Sequence, residues 1–413
     1  MVLKKKIIVF LLLIMCLFCE NAVAAQTEPS IIGTSAITVD VDTKEIIYSK
    51  NIDTRLYPAS ITKLVTAMLL SENKKPGDIL TYSEKAKMQE PSSLDLPALD
   101  KLTAKNAMDA MLLYSANDIA YMIAENISGN INNFSILMND KVKNLNLKNT
   151  NFVTPNGLHD PNHYTTAYDL SVIGREVYNY PWIMDTIKKS NSTFTTETNQ
   201  EITIKNTNKL LGKDGCIGGK TGYTSDAGRC LLALYERNGR RILGVVLKSE
   251  YDKNDTVVFK DMEKIISWSY AASKEPIIKK NSIIKTLDTE YCIIPFLNSD
   301  TKFNISPFNK LSKKIQIDFT VKEDILRYKN DVEYETSFEI NKFDPRKLDV
   351  NTPVGKLEVR DRDTTYSYNI YPTKNFDKSY INKFIIISSI SIISFVLLII
   401  LALAIKRKRR TSK

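Results

Sequence analysis

The hydrophobic positions of this chain change their period several times. Ser35–Ser49 alternates apolar and polar residues around a turn at Asp42–Lys44, which predicts a β-hairpin. From Ser60 to about Gly174 the apolar positions fall at helical spacing. They predict helices near 60–71, 103–114, 117–127, 132–147 and 165–178, with Thr103 and either Thr165 or Thr166 as N-caps. Between Ile202 and Lys248 strands return in EITIKN, CIGGKT, RCLLALYE and RILGVVLK, and Asn238-Gly239 supplies the turn between the last two. A helix over 256–270 follows. Hairpin, helical block, strand group and terminal helix together predict an α/β (α+β) domain over 25–280, an antiparallel sheet with helices on its faces plus a helical subdomain.

After SKEPIIKKNS the texture changes. Residues 281–370 hold alternating runs such as KKIQIDFTV and GKLEVRD with little helical periodicity, which predicts a small all-β domain, and 371–383 reads as a polar stalk. Phe384–Ile405 is 22 residues without a charge. At about 1.5 Å per residue it reaches roughly 33 Å, enough to cross a hydrocarbon core of about 30 Å. KRKRR follows at once, so 384–405 reads as a transmembrane helix and 406–413 as its basic cytoplasmic tail. At the other end, Lys4–Lys6, an apolar stretch from Ile7 to Phe18 and Ala22-Val23-Ala24 form a secretory signal over 1–24. Met15 and Phe18 stand where lipid attachment at Cys16 or Cys19 wants a small residue, which argues against a lipoprotein. The expected location is the cell membrane, single-pass, with the bulk of the chain on the outer, cell-wall side.

Charge changes the picture less than its total suggests. The 413 residues carry a net charge of +10. Most of it sits in the signal and in the six basic residues after Ile405, leaving the span between them near neutral, so nucleic acid is not an expected partner. With 43% hydrophobic residues the chain can bury at least one sizeable core. Three cysteines remain after the signal, Cys216, Cys230 and Cys292. These three have no Cys-x-x-Cys metal spacing; a Cys216–Cys230 bridge across a hairpin and free buried thiols both remain open.

One stretch raises a chemical question. YPASITKLVTA places Ser60 three residues before Lys63 at the head of an apolar helix, where the simplest reading is an N-cap followed by a solvated lysine. The other reading is a nucleophile and its base. Three-residue spacing puts hydroxyl and amine within hydrogen-bond reach on one face, while Ile61, Leu64, Val65 and Met68 point to the core. A serine needs a base, and lysine serves only where burial or another cation lowers its pKa. Ser-x-x-Lys also begins at Ser71, Ser282 and Ser299, so the spacing alone is weak. Two further motifs supply the missing parts. Ser115-x-Asn117 lies between two predicted helices, and Lys220-Thr221-Gly222 lies on a predicted strand whose glycines leave room for another backbone.

In order, these motifs match the serine acyl-transferase set of β-lactamases and penicillin-binding proteins. YPASITKLVTA, SANDIA, NFVTPNGLHDPNHYTTAYDL, NTNKLL and GGKTGYTSDAG also resemble segments of the serine-type D-alanyl-D-alanine carboxypeptidases, the low-molecular-mass penicillin-binding proteins, over roughly 34–272. The resemblance implies the penicillin-binding/β-lactamase-like transpeptidase fold. It also implies an activity that removes the terminal D-alanine of peptidoglycan stem pentapeptides, and covalent binding of β-lactam antibiotics, without metal or cofactor. It implies Ser60 as nucleophile, Lys63 as base and Ser115 as proton relay. Asn117 would hold the substrate amide, Lys220 and Thr221 the terminal carboxylate, and backbone N–H groups of Ser60 and Tyr223 the oxyanion beside Gly222.

Departures from the family pattern bear on fine specificity. LPALDKLT replaces a glycine-acid pair, and Val258 stands where an arginine is common. His159 and His163 flank Pro161, which argues against a helical metal pair, and are read as ordering the loop before Thr165. Two rival functions use the same residues. A serine β-lactamase would need a Glu-x-x-x-Asn deacylation motif between Ser115 and Lys220, which is absent. A catalytically idle wall-binding module would not need all of these side chains.

Overall fold

A computed structural model describes residues 27–302, 311–362 and 364–411; the expected signal, 1–24, lies outside them. The chain divides into two compact units, Met1–Ser273 with Tyr328–Val332, and Lys274–Arg327 with Glu333–Lys413.

In the first unit, β1 (Ser35–Asp40) and β2 (Ile46–Lys50) form the expected antiparallel hairpin. A 3-10 turn, Ala59–Thr62, leads into α1 (Lys63–Asn73). The helical block then contains β3 (Ile79–Thr81), α2 (Glu84–Lys87), β4 (Lys101–Thr103), α3 (Ala104–Asp109), α4 (Asn117–Ser128), α5 (Ile131–Asn144), α6 (Ala167–Glu176) and α7 (Pro181–Ile187). Thr103 caps α3 by accepting from Asn106 N–H. Of the two candidates for the later cap, Thr166 fills the place, accepting from Asp169 N–H.

After β5 (Asn191–Thr195) and β6 (Glu201–Lys205) come β7 (Cys216–Thr224), β8 (Gly228–Arg237), β9 (Arg240–Ser249) and α8 (Val257–Ala271). The main sheet has the order β2-β1-β9-β8-β7. EITIKN, grouped by its pattern with these strands, instead pairs with β5 in a separate ribbon. Only Ile204 in β6 is buried, so the segment has one residue to offer a core, whereas β8 and β9 are buried over six consecutive positions each.

That continuous burial reflects packing on both faces. Leu232, Leu234, Leu243, Val245 and Leu247 face the cluster built with α1, α4 and α6; Leu231, Ala233, Ile242 and Val246 face Val258, Met262, Ile265 and Ile266 of α8. The alternation assigns neighbouring residues to opposite layers, and β7 is left at the sheet's edge.

The second unit holds β10 (Lys274–Ile278), β11 (Ile283–Cys292), β12 (Ser312–Thr320), β13 (Ile325–Tyr328), β14 (Glu335–Ile340), β15 (Gly355–Asp361) and β16 (Thr364–Pro372). Its five-stranded sheet runs β11-β12-β16-β15-β14 around Phe319, Leu357, Val359 and Ile370. The segment read as a polar stalk contributes Phe376 and Ile381 to that core. The chain then continues as α9 (Ser379–Thr411). Ser379–Arg407 of this helix is long and apolar enough to cross a membrane, and beyond Ile381 its large apolar side chains from Ile385 to Ile405 are exposed.

Candidate active site

Ile61, Leu64, Val65 and Met68 are buried, so the start of α1 is fixed in the core. Ala59 enters the preceding turn with φ 48°, a left-handed conformation uncommon for a residue with a Cβ. Thr62 Oγ1 donates to Ala59 O at 2.8 Å and lies 2.8 Å from His163 Nε2. His163 Nδ1 accepts from the N–H groups of Val153 and Thr154, so the ring proton sits on Nε2 and is given to Thr62. Burial pushes the His163 pKa down to about 3 and keeps the ring neutral. Gly157 (φ 81°) passes so close that a Cβ there would lie 2.0 Å from Ala59 O. Ser60 caps no helix: neither the 3-10 turn nor α1 has a side-chain cap.

Lys63 is fully buried. Its Nζ lies 2.7 Å from Ser60 Oγ, 2.7 Å from Asn117 Oδ1 and 2.8 Å from Asn156 O. Two of these three partners can only accept. Asn117 is oriented by its Nδ2, which donates to Glu90 O at 2.9 Å. A neutral amine has two N–H groups and one lone pair, so the two obligate acceptors take both hydrogens and the lone pair faces the serine hydroxyl. Burial holds the Lys63 pKa well below the usual lysine value; Lys220 lowers it further and Asp118 opposes the shift. Both effects move Lys63 toward the neutral form, in which an amine can accept a proton.

The helix expected over 103–114 changes at Ala110 into a π-helical turn, Ala110–Tyr114, ending at Ser115 in the left-handed conformation (φ 71°, ψ 27°). Such turns are rare and redirect the backbone. Just before it, buried Asp109 accepts from Lys189 at 2.6 Å and from Ser192 at 2.9 Å. The outcome is that Ser115 Oγ accepts from Lys220 Nζ at 2.9 Å, across 105 positions of sequence. Lys220 is also buried and donates to Thr221 O at 2.9 Å; burial lowers its pKa to about 7. Thr221 Oγ1 lies 2.6 Å from Thr207 Oγ1.

Gly222 is where β7 meets the turn that carries Ser60. A Cβ there would lie 3.0 Å from Ser60 N, Pro58 O and the Ala59 Cβ. The backbone N–H groups expected to hold an oxyanion, those of Ser60 and Tyr223, thus come from segments in contact. Ser60, Ser115, Asn117, Thr221, Gly222 and Tyr223 line one cavity of about 490 Å³, while Lys63 and Lys220 lie buried. All eight residues singled out in the sequence converge.

Other participants were not legible. Asn156 supplies the carbonyl that fixes Lys63. Asp118 accepts from Tyr82 OH, Leu94 N–H and Asp95 N–H, securing the loop over Asn117, and burial raises its pKa. Their only sequence signal was membership in the NFVTPNGLHD and SANDIA segments. Val258 is buried in the core and brings no charge to the cavity. Cys216 pairs with Tyr235 in the β7–β8 register and Cys230 with Gly222, so the two thiols sit at opposite ends of the strand pair and are free, as is Cys292. Among the described residues, no cluster of His, Cys, Asp and Glu could hold a metal ion.

Comparison with known proteins agrees with this geometry. The D-alanyl-D-alanine carboxypeptidase family pattern matches residues 22–250. The chain is similar to D-alanyl-D-alanine carboxypeptidase DacF of Bacillus subtilis, 30% identical over 70% of this chain and 75% of that protein. It is similar to DacA of Haemophilus influenzae, of the same description, 33% identical over 61% of this chain and 65% of that protein. A Streptomyces DD-transpeptidase crystal structure superposes with a TM-score of 0.57 at 27% identity, covering 59% of this chain and 99% of that one. The α/β transpeptidase fold expected from the motifs is the fold observed.

Proposed function

The chain belongs to the D-alanyl-D-alanine carboxypeptidase family, and from that premise we propose that it removes the terminal D-alanine of peptidoglycan stem pentapeptides through an acyl-enzyme on Ser60. Lys63 takes the hydroxyl proton as Oγ attacks the carbonyl carbon of the penultimate D-alanine. The N–H groups of Ser60 and Tyr223 receive the negative charge that develops on the carbonyl oxygen. Asn117 holds the substrate amide with the second hydrogen of its Nδ2, and Gly222 lets the peptide lie along the edge of β7. Thr221 Oγ1 donates to the terminal carboxylate. As the C–N bond breaks, the proton held by Lys63 passes through Ser115, whose hydroxyl is positioned by Lys220, to the leaving amine, and Lys63 is neutral again. Water then gives a proton to Lys63 as it attacks the ester, and Lys63 returns that proton to Ser60 Oγ as the ester bond breaks. Side chains and water suffice for this sequence.

The observation that carries the reading is the set of contacts around Lys63: two obligate acceptors leave its lone pair for Ser60. The expectation gave Lys220 a direct share of the carboxylate. Its ammonium already reaches Ser115 and Thr221 O, so in this reading it serves the proton relay and the field at Lys63.

β-Lactams present a strained amide to the same nucleophile and acylate it. Helix α9 anchors the chain in the cell membrane, with the signal of 1–24 exporting the catalytic unit to the wall side and the basic tail in the cytoplasm; the outward-facing apolar surface of Ser379–Arg407 supports this. The test is mass spectrometry of the detergent-solubilised chain after incubation with penicillin. A stable adduct on Ser60, absent from Ser60→Ala, is expected together with D-alanine release from a pentapeptide. Rapid turnover of penicillin would assign the site to a β-lactamase instead.

A further inference from the structure

A carboxypeptidase must distinguish a chain that ends at the leaving residue from one that continues, and the difference is a carboxylate charge. Lys220 is poorly placed to supply the answering cation, since it is buried and already donates to Ser115 and to Thr221 O. The cavity has two other cations, Lys209 and Arg229, and one carboxylate, Asp255. Arg229 Nε lies 2.6 Å from Asp255 Oδ1 and Lys209 Nζ 3.3 Å from Oδ2, so this trio keeps one net positive charge. Lys209 is tied down further by donating to the backbone oxygens of Asn254 and Asp255.

Arg229 is differently held. In the β7–β8 register it stands opposite Tyr223, two positions beyond Thr221, so Thr221, Tyr223 and Arg229 project from the same face of the sheet. Its guanidinium lies 4.7 Å from the Tyr223 ring and 4.9 Å from the Tyr251 ring, whose centroids are 5.1 Å apart. Both tyrosines are exposed. Aromatic contacts on the flat guanidinium fix its plane while leaving its edge for anions, and a guanidinium that engages one carboxylate through Nε still carries two terminal nitrogens in its fork.

We propose that Arg229 is the specificity-determining residue for the free C-terminal carboxylate of the substrate, which it takes up beside Thr221 while loosening its pairing with Asp255. The inference rests on the carboxypeptidase reading above and adds the group that reads the chain end. In this arrangement Asp255 is a resident counter-ion that competes with the substrate, and the tyrosines hold the guanidinium in the plane a bidentate contact needs.

The test uses full-length protein in detergent and paired peptides ending in D-Ala-D-Ala, one as free acid and one as terminal amide. The readout is the ratio of kcat/KM for acid over amide. In Arg229→Gln that ratio should fall roughly ten- to a hundredfold, the scale of one charge-assisted hydrogen bond, with the loss mainly in KM. Asp255→Asn removes the competitor and should raise the ratio by lowering KM for the acid. This second variant keeps Arg229, so it decides the matter even if Arg229→Gln misfolds. An unchanged ratio in Arg229→Gln, or a lowered ratio in Asp255→Asn, overturns the proposal. Wild-type protein that cleaves neither peptide would instead overturn the carboxypeptidase reading itself.

Discussion

Asn117 Oδ1 accepts a hydrogen bond from Lys63 Nζ at 2.7 Å, across 54 positions of sequence. The residue expected to hold the substrate therefore also orients the base. Its other amide atom is committed as well, donating to Glu90 O, so the loop before β4, the helix α4 and the head of α1 are joined through one side chain. Disturbing Asn117 should register in proton transfer as well as in substrate binding.

Asn117→Asp places a carboxylate beside Lys63, and an anion favours the protonated amine. The Lys63 pKa, held low in the native site by burial and by Lys220, rises. Because the neutral form is the active base, the acidic limb of the acylation rate should move to higher pH by about one unit or more. Penicillin acylation followed from pH 5 to 10 checks this; a limb at the wild-type position would show that Asn117 does not tune the base.

Lys63→Arg keeps the positive charge and the length but cannot accept a proton near neutral pH. Acylation of Ser60 should fall on the order of a thousandfold or more, the scale of removing a base from a nucleophile pair. Stopped-flow labelling with a chromogenic β-lactam measures it. Near-normal labelling would place the base elsewhere.

Gly222→Ala inserts a methyl 3.0 Å from Ser60 N, Pro58 O and the Ala59 Cβ, tighter than most real contacts. Strand β7 must then shift from the nucleophile turn, separating the two N–H groups assigned to the oxyanion. Acylation should drop by about a hundredfold, as when one oxyanion donor is lost, while the thermal unfolding midpoint changes by only a few degrees. Comparing acylation rate with melting temperature separates local from global damage.

His163 titrates at about 3 in the folded chain, against an ordinary value of 6.5. Between those limits the unfolded chain binds a proton that the folded one does not, so stability is full above about pH 6.5 and is lost as pH falls toward 3. His163→Leu should be less stable at pH 7, because the Val153 and Thr154 N–H groups lose their acceptor at about 1–3 kcal/mol per unsatisfied group. Its stability should nevertheless decline less between pH 6.5 and 4.5 than that of the native chain. Urea midpoints at the two pH values supply the comparison.

Removing 384–413 deletes the apolar stretch of α9 but keeps Phe376 and Ile381, which the second unit buries. The truncated chain should appear in the soluble fraction and still label with penicillin. Retention on washed membranes would imply a second attachment.

Local pattern determined much of this protein. Alternation in Ser35–Ser49 named the hairpin, and short apolar runs separated by the Asn238-Gly239 turn named β8 and β9, because strand signals lie in a few neighbouring residues. Helical spacing named α1, α4 and α8, and Thr103 and Thr166 act as caps through bonds confined to one turn. The three motifs identified seven of the eight residues that converge, since each motif is short and its internal geometry is set by the element carrying it; Tyr223 follows the third.

Only the tertiary structure decided the rest. The Lys63 pKa is lowered because burial and Lys220, 157 positions away in sequence, act on it together, and neither burial nor distance is encoded within Ser-x-x-Lys. Ser115 reaches Lys220 because a π-helical turn, pinned by Asp109 and Lys189, rotates it out of helical register. EITIKN left the main sheet because strand pairing is settled by what each face can bury. Arg229 belongs to none of the three motifs, and its proposed role depends on the register that sets it opposite Tyr223 and beside Asp255. Charges, carbonyls and ring faces act over a few ångströms, and which of them stand within that range is fixed by the packing of segments far apart in the chain.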